Sequence, residues 1–245
     1  IVSFGGELHF YMKVPKGRRG IIEAALYAQY QDIEIFDAED YVDRLPSTPE
    51  EIQKAGYNFF GTELRLAKDD EYPIHTYTEF ETMDEDKQLD PISATLEILG
   101  KMSAQEIVWI QILFKPVTDE WKIKGEKTID MLKKKFRTQS KTEMGTFVMT
   151  SPAPGELELL KLMDRAIGKS GFESLIRYIY FAPKEVYSDS VPRRGILGAF
   201  NQYSSESLNK FAHNFGAWTR ADYWNKPHIF PKTRLKARKK KMLAD

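Results

Sequence analysis

The chain contains no cysteine, which excludes disulfides, thiol catalysis and thiolate metal sites. It carries no net charge, since 36 Lys and Arg balance 36 Asp and Glu. No global pull toward nucleic acid or an anionic membrane follows from composition. Apolar runs stay far below the roughly 18 residues a spanning helix needs. The Gly-Lys-Ser/Thr signature of a phosphate-binding loop is missing, as is a G-x-S-x-G nucleophile elbow. Histidine is scarce: His9, His75, His213 and His228 lack metal-ligand spacing and read as ordinary surface or sheet-face residues. The sequence offers no catalytic constellation and no metal or cofactor site.

What is present is enough apolar material for a core, 42% of 245 residues, suited to one large domain or two small ones. Glu106 to Pro116 is the most apolar stretch. Val108, Ile110, Ile112 and Phe114 face one side of a strand; Ile107, Trp109 and Leu113 face the other. Such a strand is expected to be central and covered on both faces. Alternation predicts further strands over 7–15, 32–37, 57–68 and 172–182. Periodicity and caps predict helices over 21–30, 90–100, 118–136, 156–167 and 192–203. Thr48-Pro49-Glu50-Glu51 opens a helical turn, and Asp90-Pro91 starts the clearest helix.

Two segments repeat. His9 to Lys16, Arg18-Arg-Gly-Ile21 and a helix ending Ala28-Gln-Tyr30 match Arg177 to Lys184, Arg193-Arg-Gly-Ile196 and a helix ending Asn201-Gln-Tyr203. A duplicated strand–helix unit is the expectation. Residues 7–116 read β-α-β-β-α-β, so the expected fold class is α+β, with two ferredoxin-like halves and helices on one face of antiparallel or mixed sheets. The boundaries are 1–137, a linker over 138–155, a second unit over 156–224, and a basic tail or linker over 225–245.

Candidate binding residues follow from charge and aromaticity. Lys16, Arg18 and Arg19 sit at a strand-to-helix turn suited to an anion, and Arg193 and Arg194 repeat the pattern. Tyr11, Tyr178 and Tyr180 lie on strands where a nucleic-acid module would stack bases, although the RNA-recognition signature itself does not follow. The basic run supplies Arg234, Lys236, Arg238, Lys239, Lys240 and Lys241 as contacts to phosphate, a membrane surface or a partner. The acidic clusters at 34–43, 69–71 and 79–86 read as solvated loops, with a hydrolase pair as the weaker alternative.

Ser3-Phe-Gly-Gly-Glu-Leu-His-Phe-Tyr11, Gly61-Thr-Glu-Leu64, Asp90-Pro-Ile-Ser93, Trp109-Ile-Gln-Ile-Leu113 with Pro116, Phe181-Ala-Pro-Lys184 and the basic run from Arg234 together form a pattern of phrases. It resembles the region preceding the ATPase motor in type IV secretion and conjugative DNA-transfer proteins of the DNA-translocase class, from uncultured bacteria. The resemblance implies a non-catalytic assembly or scaffold domain. Its partners would be further copies, a motor ATPase domain and DNA. Its place would be the cytoplasmic face of the inner membrane, approached through segments outside this chain. The opening at Ile1 and the basic end also suggest a segment of a longer polypeptide. The alternative is a nucleic-acid-binding module using the sheet aromatics and the basic run.

Overall fold

A computed structural model describes residues 1–30, 32–80, 90–136, 139–141, 147–149, 152–220 and 231–244. The strands are β1 (Val2–Phe4), β2 (Glu7–His9), β3 (Tyr57–Leu66), β4 (Ile107–Pro116), β5 (Gln139–Lys141), β6 (Phe147–Met149), β7 (Phe172–Pro183) and β8 (Phe211–His213). The helices are α1 (Arg19–Gln29), α2 (Pro49–Lys54), α3 (Tyr77–Phe80), α4 (Ser93–Gly100), α5 (Glu120–Phe136), α6 (Pro154–Ile167), α7 (Ser190–Phe200) and α8 (Pro231–Ala244). The class is α+β. A six-stranded antiparallel sheet runs β2-β1-β4-β7-β3-β8, and β5 and β6 form a separate hairpin.

Among the described residues the ferredoxin-like order appears once, and it crosses the expected boundary. Elements β3, α4, β4, β7, α7 and β8 give β-α-β-β-α-β, arranged β4-β7-β3-β8 in the sheet. The reason is pairing. Strands β3 and β4 are both antiparallel to β7, so they run parallel to each other with a gap between them. Strand β7 fills that gap, and Tyr178, Ile179, Tyr180 and Phe181 are buried there. The two expected halves are therefore one sandwich. The connection from β4 to β7 holds α5, the β5–β6 hairpin and α6 where a linker was expected over 138–155; the rest of that segment lies outside the described residues.

Strands β1 and β2 add a hairpin on the β4 side. Phe4 opposes Glu7, leaving Gly5 and Gly6 at φ of 59° and 91°. A two-residue hairpin loop needs positive φ at both positions, which glycine supplies without strain. Residues 10–15 and 32–37 form no strand, so the strand half of the internal repeat is not reproduced. Its helix half differs too. Helix α1 buries no residue, whereas α7 buries Ile196, Ala199 and Phe200. A Cβ on Gly195 would meet Ile98 of α4 at 3.2 Å, while one on Gly20 would meet nothing.

Strand alternation sorts the core into two clusters. On the helix face, Phe60, Leu64, Val108, Ile110, Tyr178, Tyr180 and Ala182 pack under Leu99 of α4 and Ile196 and Phe200 of α7. On the opposite face, Val2, Phe59, Trp109, Ile179 and Phe181 pack against Ile52 of α2 and Met242 of α8. Thr48 Oγ1 accepts the Glu51 N–H and starts α2, as its sequence predicts. The basic run is not a tail. It is a helix laid on the sheet, and a Cβ on Gly61 in β3 would come within 2.7 Å of Met242 Cγ. A glycine inside a strand costs packing and entropy; here it makes room for α8.

Candidate functional site

The ladder between β4 and β7 continues to Pro116 opposite Phe172. Its neighbours stop earlier: β1 pairs with β4 only as far as Trp109, and β3 with β7 only as far as Ile176. Ile1 adds two bonds to Ile110, its ammonium donating to the Ile110 carbonyl and its carbonyl accepting the Ile110 N–H, each at 2.8 Å. Beyond that point β4 and β7 form a two-stranded ribbon projecting from the sandwich. Among the described residues no strand occupies the β1 side of Gln111 to Pro116.

This projection changes what β4 does. Its first half is covered on both faces, as expected, with Val108, Trp109 and Ile110 buried. Its second half is not. Ile112 is 52% exposed, Leu113 44% and Phe114 69%, and Phe172 across the ribbon is 53% exposed. The rings of Phe114 and Phe172 meet edge to face at 5.8 Å between centroids. Paired to each other, they leave apolar surface in water on a rigid element, and contiguous apolar exposure of this kind marks an interaction surface.

The other face of the same ribbon sets Leu113 and Leu175 among polar side chains. Gln111 Nε2 donates to Tyr41 Oη at 2.5 Å, and Arg177 Nε donates to Gln111 Oε1. Next to Arg177 an open cleft is lined by Glu63, Gly216, Ala217, Arg238, Lys241 and Met242. Glu63 Oε2 accepts from Asn214 Nδ2 at 2.9 Å. Sequence reading missed this cleft because it depends on α8 being a helix. The signal was there in Leu235 and Met242, seven residues apart and both turned toward the protein.

The anticipated contact residues fare differently. Tyr178 and Tyr180 are wholly buried and cannot stack on a base. Tyr178 Oη donates to the Arg193 carbonyl at 3.0 Å, and Tyr180 Oη to Glu106 Oε1 at 2.6 Å. Burial raises both phenol pKa values, and the Glu106 bond adds to it for Tyr180. Alternation put these side chains on the helix face, under α4 and α7. Tyr11 is half-buried against Tyr41, with ring centroids 5.0 Å apart.

The two arginine turns named as anion contacts have different surroundings. Lys16 and Arg18 are exposed in a short 3-10 turn. Arg19 is held at 2.6 Å by both Glu23 and Asp37. Arg193 lies over the Trp218 ring, 5.5 Å from its centroid, and 3.7 Å from Asp189. Arg194 is exposed on α7.

The basic run divides. Lys236 pairs with Glu50 at 2.9 Å. Arg238 donates to the Trp218 carbonyl at 3.2 Å. Lys239 is buried, donating to Asn58 Oδ1 at 2.6 Å with its ammonium 4.6 Å from the Phe59 ring centroid. Burial pushes its pKa down to about 8. Arg234, Lys240 and Lys241 stay exposed. His213 is half-buried at the margin of the core, edge-on to Trp218, and burial with the nearby Arg193 charge pushes its pKa down to about 4. Among the described residues no cluster of three or more His, Asp or Glu is placed to hold a metal ion.

Residues 1–222 match the model of a domain family of unknown function, DUF8128. The chain belongs to that family. No curated protein and no solved structure matches it. The family region ends before α8, yet Gly61, inside it, is shaped to receive that helix. No described helix is long and apolar enough to cross a membrane.

Proposed function

We propose that this domain is a non-catalytic assembly module that self-associates through the projecting β4–β7 ribbon. The observation that carries the reading is the exposed row Ile112, Phe114 and Phe172 beside an unpaired edge of β4. An open edge presents main-chain donors and acceptors that only another extended chain satisfies in register. Lys115 and Pro116 guard its far end, and Gln111 to Phe114 are unguarded. A second copy fits. Antiparallel pairing of the same edge about a two-fold axis is self-complementary and brings both copies' Ile112 and Phe114 together. The chain's zero net charge leaves no long-range repulsion to oppose it.

The resemblance of its sequence phrases to type IV secretion and conjugative DNA-transfer ATPases suggests a setting for this module. It would organise copies of such a motor at the cytoplasmic face of the inner membrane, with nucleotide chemistry in another domain. The test is the mass of the native protein against concentration, for wild type and Ile112→Ser/Phe114→Ser. Wild type is expected to associate and the double variant to stay monomeric. A wild type that remains monomeric at about 100 μM, a hundredfold above a Kd of about 1 μM, would refute self-assembly of that strength.

A further inference from the structure

Opposite the apolar row, the uncovered end of the sheet is cationic. Alternation places Arg65 and Glu63 of β3, Arg177, Leu175 and Glu173 of β7, and Lys115, Leu113 and Gln111 of β4 on this face. The register sets Gln111, Arg177 and Glu63 in one row, Leu113 beside Leu175, and Lys115 beside Glu173. Helix α8 brings Arg238 and Lys241 to the edge of the same surface. Cations outnumber carboxylates here.

They are also without ion pairs among the described residues, although Arg238 donates to the Trp218 carbonyl and Arg177 to Gln111. Elsewhere Lys13, Arg19, Lys101, Lys122, Lys124, Lys210 and Lys236 sit within ion-pair distance of acids. Among the described residues no carboxylate pairs with Arg65, Lys115, Arg177 or Lys241, even though Arg177 and Glu63 are register partners. Arg177 is instead aimed by Gln111, and Gln111 by Tyr41.

We infer that this face binds single-stranded nucleic acid through its phosphates. From the row of Gln111 to the row of Lys115 is four strand residues, about 13 Å at the usual rise per residue. That span exceeds a single phosphate and suits a chain of them. A positively charged track along an open sheet follows a phosphate backbone without reading sequence, and with leucines rather than aromatic rings at its centre, here Leu113 beside Leu175, this one holds the strand by its phosphates and not by base stacking. The site is separate from the self-association row, which lies on the other face of the ribbon.

The experiment is fluorescence anisotropy of a labelled 20-nucleotide oligodeoxythymidylate with the full chain, in a salt series, alongside co-sedimentation with phosphatidylserine vesicles. Binding is expected to weaken with salt at a log–log slope of about −3 for some four phosphate contacts. Arg65→Glu/Lys241→Glu, both on exposed side chains, is expected to lower affinity at least tenfold. Lys133→Glu/Lys134→Glu, the same charge change on α5, is expected to leave it unaltered. Ile112→Ser/Phe114→Ser is expected to keep binding, which separates this site from the assembly reading. No oligonucleotide binding at 20 mM salt, equal losses in the two charge reversals, or binding to vesicles alone would each overturn the inference.

Discussion

The two faces of the sheet are closed by different means. The helix face is covered by α4 and α7, which are part of the β-α-β-β-α-β path itself. The opposite face is covered by short or late elements, α2 and α8, and by the loop carrying Tyr41. The first closure follows from topology, because a crossover helix must pack on the sheet it connects. The second depends on single contacts: Met242 over Gly61, Lys239 on Asn58, Lys236 on Glu50. Neither closure reaches the end of the β4–β7 ribbon. The surface left over has two characters, apolar on the helix face and cationic on the other, and the proposed activities live there.

The comparison breaks most visibly at Tyr180. Tyr180→Ala on the helix face is expected to cost about 3–5 kcal/mol in urea unfolding, since it empties a buried site and strips Glu106 of a donor. A loss under about 0.5 kcal/mol, the range of an ordinary surface change, would mean that this face is not the main core.

Gly61→Val tests the other face. The added side chain would collide with Met242, at a cost of about 1–3 kcal/mol for overpacking. Amide exchange should speed up through α8 and stay slow in α4 and α7. Equal acceleration in all three would show one cooperative unit, with no difference between the closures.

The docking of α8 should also depend on pH. Lys239 titrates near 8 when folded, against an ordinary value of 10.5. Between those values the unfolded chain binds more protons, so stability rises with pH from about 8 to 10.5. Lys239→Met should flatten that rise. His213, lowered from 6.5 to about 4 by burial, gives a second window: stability should fall as pH drops from 6.5 toward 4, and His213→Gln should reduce the fall. Guanidinium-midpoint series across both windows measure these slopes.

The smallest effect on stability is expected at the ribbon. Ile112→Ser/Phe114→Ser removes exposed apolar groups, so unfolding should shift by no more than about 0.5 kcal/mol.

Local signals carried far in this sequence. The alternation of β3, β4 and β7 and the caps of α2 predicted those elements closely, because each rests on neighbours in sequence. Pairing was less legible. Residues 156–224 read as a second unit because nothing local records that β7 lies between β3 and β4; only the parallel pair they form, and the gap it leaves, decides that. Tyr178 and Tyr180 were misplaced for the same reason, since their alternation was plain but the face under α7 was not. Residues 225–245 read as a basic tail or linker because charge hid the narrow apolar stripe of α8. Ile112 and Phe114 were recognised as strand residues and expected to be covered; their exposure follows from how short β1 and the β3–β7 overlap are.

The most direct test is sedimentation equilibrium of the wild-type protein beside Ile112→Ser/Phe114→Ser over a hundredfold range of concentration. The account predicts that the weight-average mass of the wild type climbs above the monomer while the variant stays at it. A wild type that holds the monomer mass throughout, or a variant that associates equally well, would contradict the assignment of the ribbon as the assembly surface.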